Sequence, residues 1–289
     1  MRLKLKDTSK MKYLTMMGLT VTENFGSQLS QFCCMYAIGQ KTGHRLVFLD
    51  QYAGLGRGLK FHLPFEKLPF EVLDVAQLSD EDRVYSNFQV NLQVPINSEV
   101  FALSKDINVN FQGFFTSYRY WYPIRNEIRK MIRFLPSVVM RAEALLQPLR
   151  SLGRKLVAVH VRRADYLDHG AMAFNPSAAY YEAAFSQYAE EPSLFIVFSD
   201  DIAWCKEAFG KHANVVYSES NPPEVDMCAM TLCDHNIIAN STFSFWGAFL
   251  NTNPQKKVVC PGKYIKTDNV ITHMNYCWFP DDFIPLSVE

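Results

Sequence analysis

The strongest candidate for chemistry is the charged run His160-Val-Arg-Arg-Ala-Asp-Tyr166, which directly follows an apolar stretch at residues 156–159. Two adjacent arginines at the end of a buried strand are costly unless something pairs with them. Their side chains cannot share one face, so we expect one to meet a ligand and the other to anchor to the scaffold. A planar guanidinium matches a pair of phosphate oxygens and can carry the charge of a departing diphosphate. The alternative is a structural pair between an arginine and Asp165.

A second cluster, Asn240-Ser-Thr-Phe-Ser-Phe-Trp-Gly247, lies at a predicted strand-to-helix junction. Ser241 or Thr242 is a good helix N-cap, and a cap alone explains one of these hydroxyl groups. Three hydroxyl groups together with the free N–H groups of a helix start also suit a phosphate. A cap alone, and a cap combined with a phosphate site, both fit this cluster.

Carboxylates form the third group of candidates. Ser199-Asp-Asp201 also follows a predicted strand. Paired acids could bind a divalent metal there, as in sugar transferases with an Asp-x-Asp site. We favour a cap on the helix that begins near residue 202, because the sequence places no third carboxylate beside the pair. Asp226 is either a solvated helix carboxylate or an acceptor for the N1–H and amino groups of guanine.

The elements that must position these residues alternate regularly in the second half of the chain. Strands are predicted at residues 156–159, 194–198, 214–217, 235–239 and, as the last one, 256–260. Helices are predicted between them at residues 180–188, 202–209, 224–233 and 243–250. This alternation is typical of a doubly wound parallel sheet, which binds ligands at the C-terminal ends of its strands.

The first half opens with a similar unit. Apolar runs at residues 13–21 and 46–49 flank a helical pattern over residues 28–42, which Gly43 ends. Residues 54–110 give no clear pattern, and residues 122–152 turn helical with a break at Pro136. Two halves of α/β character predict two lobes with a ligand site in the cleft between them.

The composition bounds the class of protein. The chain has 289 residues, zero formal net charge and 48% apolar residues, which is typical of a globular protein and argues against binding to duplex nucleic acid. Seven cysteines without a C-x-x-C pair predict reduced, buried thiols in a cytosolic protein rather than a disulfide scaffold or a zinc ribbon. The isolated histidines lack metal-ligand spacing, and no apolar run is typical of a membrane span or a signal peptide.

Residues 119–155 are unusually basic. They contain nine Arg or Lys residues against Glu127 and Glu143. A solvated helix face is the simplest interpretation, and contact with anionic lipid headgroups or another anionic ligand is the alternative.

Taken together, these motifs resemble the α-1,2-fucosyltransferases of glycosyltransferase family 11. The resemblance covers about residues 13–265 and has five parts in the family's order. The parts are Phe25-Gly-Ser-Gln-Leu-Ser-Gln31, Phe111-Gln-Gly-Phe-Phe-Thr-Ser-Tyr-Arg-Tyr120, His160-Val-Arg-Arg-Ala-Asp-Tyr166, Phe198-Ser-Asp-Asp201 with Trp204, and Cys233-Asp-His-Asn-Ile-Ile-Ala-Asn-Ser-Thr-Phe-Ser-Phe-Trp-Gly247. The last is the most specific, because the Arg-Arg-x-Asp signature alone also fits protein O-fucosyl and α-1,6-fucosyl transferases.

The resemblance implies a GT-B-like α/β fold of two Rossmann-type lobes, with an acceptor-side lobe at residues 1–150 and a GDP-fucose-binding lobe at residues 151–289. It implies an inverting transfer of L-fucose from GDP-β-L-fucose to the 2-hydroxyl of a terminal galactoside, with no metal or other cofactor. Arg162 resembles the arginine that holds the β-phosphate. The other donor-site residues that it implies are Gly26 and Ser27 in a loop that closes over the donor, His160, Asp165, Asp226, Asn240, Ser241 and Thr242.

Several points stay open at this level. A base for the acceptor hydroxyl is needed only late on such a path, and the candidates are Asp168, His169 and then Asp165. Ser27 stands where the family usually has Asn, so a different contact between this loop and the donor is expected, and a non-catalytic sugar-nucleotide-binding protein is one alternative. Another GDP-fucose-dependent O-fucosyl or deoxysugar transferase is the second. Bacterial members act in the cytosol on lipid-linked glycans, so a cytoplasmic protein with peripheral contact at the inner membrane is expected.

Overall fold

The computed structural model describes residues 11–17, 19, 24–50, 59, 61–75, 78–91, 94–163, 167, 175–263 and 279–287. They fall into two compact units. The first comprises Met1–Leu63 and Lys67–Met131, and the second comprises Pro64–Glu66 and Ile132–Glu289. The short segment Pro64–Glu66 belongs to the second unit because its backbone pairs with residues 133–135.

The first unit is built on a five-stranded parallel sheet. Its strands are β1 (Tyr13–Thr15), β2 (Arg45–Asp50), β3 (Glu71–Asp74), β4 (Tyr85–Gln89) and β5 (Asn108–Gln112), in the order β3-β2-β1-β5-β4. Helix α1 (Phe25–Thr42) connects β1 to β2, and α2 (Arg125–Met131) ends the unit. Gly43 ends α1 in a left-handed conformation, with φ of 79°, and its N–H donates to the carbonyl of Gly39.

The second unit is built on a six-stranded parallel sheet. Its strands are β6 (Lys155–Val161), β7 (Ser193–Ser199), β8 (Val215–Tyr217), β9 (His235–Ile237), β10 (Val258–Pro261) and β11 (Ile284–Leu286), in the order β11-β10-β9-β6-β7-β8. Its helices are α3 (Pro136–Arg150), α4 (Ala178–Ser186), α5 (Ile202–Phe209), α6 (Pro223–Thr231) and α7 (Thr242–Leu250).

Each sheet contains one pair of neighbouring strands that are not consecutive in the sequence. In the first sheet, successive strands run outward from β1 on one side, whereas β5 lies against the other side of β1. In the second sheet, β6, β7 and β8 run outward on one side, and β9, β10 and β11 run outward on the other. The switch points therefore lie between β1 and β5 and between β6 and β9. Open α/β sheets bind ligands at such positions, beyond the C-terminal ends of the strands.

The core of the second unit explains why β6 reads as a continuous apolar run. Residues 157, 159 and 161 pack on one face of the sheet with Tyr181 of α4 and Phe209 of α5. Residues 156 and 158 pack on the other face with Ala142 of α3 and Ala229 of α6. A parallel strand that is covered by helices on both faces has no polar side to show in its sequence.

The α/β, GT-B-like fold class of two Rossmann-type units is confirmed, while the predicted cleft stays a prediction. The units divide between residues 131 and 132 rather than between residues 150 and 151, because α3 packs on strand β6 and helix α6, which both belong to the second unit. The unassigned stretch 54–110 contains β3, β4 and the start of β5. A further strand, β11, follows the strand that was predicted to be the last. These strands escaped the sequence analysis because β3 and β4 are partly exposed and polar and β11 has only three residues.

Two further predictions concern the cysteine side chains and the absence of a membrane-spanning segment. The six cysteines within the described residues are free and buried, as predicted, and Cys277 lies outside those residues. Among the helices that the structure describes, none combines the length and the apolar character that crossing a membrane requires.

Candidate functional site

Two motifs with a predicted functional role, the arginine motif after β6 and the hydroxyl-rich motif before α7, flank the switch point of the second sheet. His160, near the C-terminal end of β6, is buried, and its ring lies 5.2 Å from that of Phe243 in the first turn of α7. Burial lowers the pKa of His160 to about 3, and the positive charge of Arg162 adds to this effect. The imidazole is therefore neutral at physiological pH, and its Nδ1 has no hydrogen-bond partner within the described part of the chain.

Arg162 lies one residue beyond the end of β6 and is held by the neighbouring strand. Because Val161 pairs in register with Ser199, the next residue of each chain segment, Arg162 and Asp200, lie side by side. Arg162 Nη1 lies 3.0 Å from Asp200 Oδ2, with 28% of the arginine side chain and 22% of the aspartate side chain exposed. Asp200 Oδ1 also accepts a hydrogen bond of 2.9 Å from the backbone N–H of Arg163. One carboxylate thus fixes the guanidinium of Arg162 relative to the backbone that carries it.

Arg163 is the arginine that anchors to the scaffold. Its Nε donates to Asp201 Oδ2 at 3.1 Å, and its guanidinium lies 4.1 Å from the ring of Trp204. Asp201 in turn caps α5, because its Oδ1 accepts from the N–H of Trp204 at 3.1 Å. That hydrogen bond, followed by the charge of Arg163, lowers the pKa of Asp201. The prediction that one arginine is anchored and the prediction of a cap at Asp201 are both confirmed.

The loop after β9 leads into α7 beside this arginine-bearing strand. Ser241 is the N-cap of α7, and its Oγ accepts from the N–H of Phe243 at 3.3 Å, as the cap interpretation predicted. Thr242 is the first helical residue. Asn240 is fully buried and donates from Nδ2 to the carbonyl of Lys263 at 3.0 Å. The start of α7 therefore has a fixed backbone, and its first N–H groups point toward the C-terminal edge of the sheet.

Asp226 lies in the first turn of α6, and its environment is more apolar than that of a solvated carboxylate. Its Oδ1 accepts a hydrogen bond of 2.7 Å from the Oγ of Ser218, the residue that follows β8, and that Oγ accepts from Asn221 Nδ2 at 3.0 Å. Burial raises the pKa of Asp226 from 3.8 to about 6, Ser218 opposes the shift, and Glu224 adds to it. Asp226 is therefore a half-buried, hydrogen-bonded carboxyl group rather than a freely solvated one.

The packing of α6 on α7 positions this carboxylate. Gly247 of α7 faces Met230 of α6 so closely that a Cβ at residue 247 would lie 2.9 Å from Met230 Cε. Below the contact, Asn251 Nδ2 donates to Asn236 Oδ1 and to the carbonyl of Cys233, both at 2.9 Å. A glycine at residue 247 thus lets the helix that carries Asp226 pack directly against the helix that Ser241 caps.

The predicted donor residues of the first half, Gly26 and Ser27, lie in the first unit. The sequence pattern predicts a loop at these residues, but α1 already begins at Phe25, so both residues occupy its first turn. The carbonyl of Gly26 accepts from the Oγ of Ser30 at 3.1 Å. The helix starts early because Gln28 is buried and bonded to the carbonyl of Leu19, which fixes the first turn.

Some predicted residues cannot be placed. Asp165, Asp168 and His169 lie outside the described residues. Within the described residues, no group of three or more His, Cys, Asp or Glu side chains is arranged to hold a metal ion.

Two site residues were missed as such by the sequence analysis. Asp200 was counted only as part of a capping or metal-binding pair, although it holds Arg162. Ser218, the partner of Asp226, was not singled out at all. The usable signal was position: each residue directly follows a predicted strand of the same parallel sheet, so each must lie at its C-terminal edge.

Comparison with known proteins finds a matching family profile and related sequences. Residues 85–270 match the sequence profile described as Glycosyl transferase family 11. The chain is 32% identical over 188 residues to the alpha-1,2-colitosyltransferase of Escherichia coli, which covers 58% of this chain and 62% of that protein. It is 28% identical over 243 residues to galactoside alpha-(1,2)-fucosyltransferase 1 of Oryctolagus cuniculus, which covers 78% of this chain and 61% of that protein. The match thus spans about three fifths of the length of these two relatives.

A solved structure supports the fold. The crystal structure of the fucosyltransferase NodZ from Bradyrhizobium superposes on 83% of this chain and 92% of its own with a TM-score of 0.56, at 15% sequence identity. Another crystal of NodZ, described as an alpha-1,6-fucosyltransferase, was soaked with GDP-fucose and gives a TM-score of 0.55. At this level of identity, the likeness concerns the fold alone.

Proposed function

Because this chain belongs to glycosyl transferase family 11, we propose that it transfers L-fucose from GDP-β-L-fucose to the 2-hydroxyl of a terminal galactoside with inversion, giving an α-1,2 linkage. The observation that carries the proposal is Arg162, a partly exposed guanidinium held by Asp200 beside the switch point of the second sheet. The acceptor is a galactose-terminated oligosaccharide or a lipid-linked glycan. Two relatives, named as α-1,2-transferases of fucose and colitose, support the linkage.

The chemistry required of the site follows from the charges. The bond between C1 of fucose and the β-phosphate oxygen breaks, and a bond between C1 and the acceptor oxygen forms on the opposite face. Positive charge spreads over the sugar ring in the transition state, while negative charge collects on GDP. Arg162 offsets the charge on the diphosphate, and the N–H groups at the start of α7 add a partial positive charge. The proton of the acceptor hydroxyl leaves to a base, for which Asp168, His169 and Asp165 remain the candidates.

The remaining donor residues have supporting roles. Asp226, as a carboxylate, accepts from the N1–H and amino groups of guanine, which present two donors side by side. His160 stays neutral because of its low pKa, so it can orient a phosphate oxygen through a ring N–H without adding charge beside Arg162. Gly26 and Ser27 are two further donor contacts. No metal ion takes part, since Arg162 and the helix start supply the positive charge.

A different donor is the second candidate. One relative is named an α-1,2-colitosyltransferase, which favours another deoxysugar carried on the same nucleotide. The nucleotide site and the role of Arg162 are the same in both cases, so only a donor panel separates them. A protein that binds the sugar nucleotide without catalysis is the third candidate.

The test is a transfer assay with purified protein, GDP-fucose and lactose, in which the linkage of the product is determined by NMR. We expect an α-1,2-fucosylated product, full activity in excess EDTA, and lower activity with GDP-colitose. Arg162→Ala should lower kcat by about three orders of magnitude while leaving the melting temperature nearly unchanged.

The outcomes separate the candidates. Faster transfer from GDP-colitose would replace the donor, and binding of GDP-fucose without transfer or hydrolysis would leave only a binding protein. Activity that is lost in EDTA and restored by Mn²⁺ would contradict the metal-independent mechanism. Near-normal turnover of the Arg162→Ala protein would contradict the role of Arg162.

We also propose a cytoplasmic, peripheral position at an anionic membrane. The support is the outward face of α3 and the turn after it, where Met140 is 73% exposed and Leu152, Arg141 and Arg154 are also exposed. Exposed cations beside exposed apolar side chains suit a lipid surface. Co-sedimentation with vesicles should rise with anionic lipid and fall with salt, and binding that is indifferent to both would contradict the proposal.

A further inference from the structure

The C-terminal ends of β4 and β5 in the first unit carry a cluster of amide side chains. Asn87 pairs in register with Asn110, and Gln89 pairs in register with Gln112. Because paired residues of neighbouring parallel strands point to the same side, these four amides share one face of the sheet. The opposite face is apolar, with the rings of Phe88 and Phe111 5.6 Å apart.

The hydrogen bonds within this cluster fix the direction of its amides. Asn87 Oδ1 accepts from Asn110 Nδ2 at 2.8 Å and from Gln112 Nε2 at 3.3 Å. Asn110 itself is buried, and its Oδ1 accepts from the N–H of Met17 at 3.1 Å. With its oxygen engaged twice, Asn87 presents its Nδ2 group outward, and no described residue accepts from it. Asn87, Gln89 and Gln112 are all exposed.

An exposed aromatic residue follows the amides of β5 along the chain. Phe114, two residues after β5, is 50% exposed, although burial of a phenylalanine side chain is favourable and the strand before it is buried. Its backbone is fixed on both sides. Gly113 turns the chain with φ of 98°, and a Cβ there would lie 3.0 Å from Gln89 Nε2. Phe115 is fully buried, with its ring 5.1 Å from Phe111 and 4.3 Å from Tyr120.

A lone exposed apolar side chain is ordinary, and so is an exposed amide on an edge strand. The combination here is not, because an exposed aromatic residue closely follows a strand whose C-terminal end carries pre-oriented amides. None of the four exposed side chains carries a charge, so an ionic ligand would gain no compensation for its lost hydration. Hydroxyl groups of a neutral sugar pair with planar amides, and the apolar face of a pyranose packs against an aromatic ring.

We propose that Asn87, Gln89, Gln112 and Phe114 form a subsite for the neutral hexopyranoside of the acceptor. The assignment rests on the proposed transfer to a galactoside and names the residues that select its sugar. Phe114 is the platform for the sugar ring, Asn87 Nδ2 donates to a sugar hydroxyl, and the carboxamides of Gln89 and Gln112 complete the hydrogen bonds. Tyr120 and Phe115 hold the platform in place.

The experiment measures KM for lactose, KM for GDP-fucose and the rate of donor hydrolysis without acceptor in three variants. Phe114→Ala should raise KM for lactose by about tenfold and leave both donor measurements within about twofold of the parent. Asn87→Asp keeps an oxygen for Asn110 and Gln112 and replaces the outward donor with a negatively charged acceptor, so KM for lactose should rise by about fivefold. The control is Val84→Ala, which removes a 72%-exposed apolar side chain near the opposite end of β4 and should change nothing.

Saturation-transfer NMR of lactose with the full chain gives a readout that does not depend on transfer. Lactose signals that are saturated in the parent and lost in Phe114→Ala support the subsite. A parent that binds lactose in this way but transfers no fucose contradicts the proposed function while supporting the subsite. A parent that transfers fucose, with KM for lactose unchanged within about twofold in both Phe114→Ala and Asn87→Asp, overturns the subsite alone.

Discussion

The two switch points have similar topology and opposite chemistry. Beside the switch of the second sheet, β6 and β7 are followed directly by Arg162 and Asp200, a charged pair 3.0 Å apart. Beside the switch of the first sheet, β5 and β4 end in the neutral residues Gln112 and Gln89, and Gln89 Nε2 donates to the backbone carbonyl of Gln112. Acidic residues do occur at the ends of β2 and β3, but these strands lie on the far side of β1.

This difference shows that the parallel sheet supplies only a place where side chains converge. The fold brings strand ends together in both units, and the residues that follow each strand decide which ligand gains from it. A charged pair around a guanidinium suits a diphosphate, and an amide cluster with an aromatic ring suits a neutral sugar. Substitutions, pH and salt can test whether function needs charged groups at the strand ends of the second sheet and not at those of the first.

Among the tests of these two edges, the largest effect on turnover is expected for Asp200→Asn. The asparagine oxygen can still accept from the N–H of Arg163, but its NH₂ group now faces Arg162 and repels the guanidinium. The loss of a negative charge by itself favours the departing diphosphate, but the arginine loses its fixed orientation. This loss is the larger effect, so kcat should fall by about 10- to 100-fold while KM for GDP-fucose changes by less than about threefold. Steady-state kinetics with varied donor measures both constants.

Asp201→Asn is the matched control, because this residue is the neighbouring acid paired with the neighbouring arginine. Its carboxylate caps α5 and binds Arg163, so we expect a loss of about 1 kcal/mol of stability and nearly normal kcat. Equal losses of kcat in the two variants would show that the acids act only on the fold. Loss of kcat in Asp201→Asn alone would assign the positioning role to the pair of Arg163 and Asp201 and contradict the role of Asp200.

The same pair shows what the sequence could and could not predict. The alternation of strands and helices located β6, β7 and the residues that follow them, because both strands are apolar throughout. The partner of Arg162 could not be found in this way, since it depends on β6 and β7 being neighbours and on Val161 lying opposite Ser199. Local sequence suggested Asp165 as a partner, whereas the sheet brings Asp200 from 38 positions along the chain.

The amide edge was harder to predict for a physical reason. β4 alternates weakly, because its exposed residues are polar and its two aromatic side chains, Tyr85 and Phe88, lie on opposite faces and are both only partly buried. Asn108 and Asn110 are polar residues inside a buried strand, where they bond to backbone groups of neighbouring segments. A pattern based on apolar periodicity therefore reads β5 as irregular, although its burial is nearly complete.

The next effect concerns pH and the charged edge. The pKa of Asp226 is raised to about 6 by burial, and guanine requires the carboxylate form. As the pH falls from 7 to 5, protonation should weaken the binding of GDP-fucose by about tenfold, whereas the binding of lactose should stay constant. GDP-fucose is the right probe, because neither of its phosphates titrates in this range, and calorimetry at several pH values measures the affinity.

Asp226→Asn separates this carboxyl from other titrating groups. The variant should bind GDP-fucose weakly at every pH, with no further loss between pH 7 and pH 5. The raised pKa means that the native fold holds the proton more tightly than the unfolded chain, so stability is lost as the pH rises through about 6. The variant should therefore be more stable than the parent at pH 7, by roughly 1–3 kcal/mol. A donor affinity that depends on pH as strongly in the variant as in the parent would assign the effect to another group.

The smallest effect, and the most direct test of the comparison, is the response to salt. Raising NaCl from about 0.05 M to about 0.5 M screens a partly exposed guanidinium, so KM for GDP-fucose should rise by about three- to fivefold. The amide cluster offers no charge to screen, and KM for lactose should change by less than about 1.5-fold. Replacing NaCl with sucrose of equal osmolality controls for effects on the solvent. A lactose KM that rises in step with that for GDP-fucose would mean that the acceptor is held by charge, and the distinction between the two edges would fail.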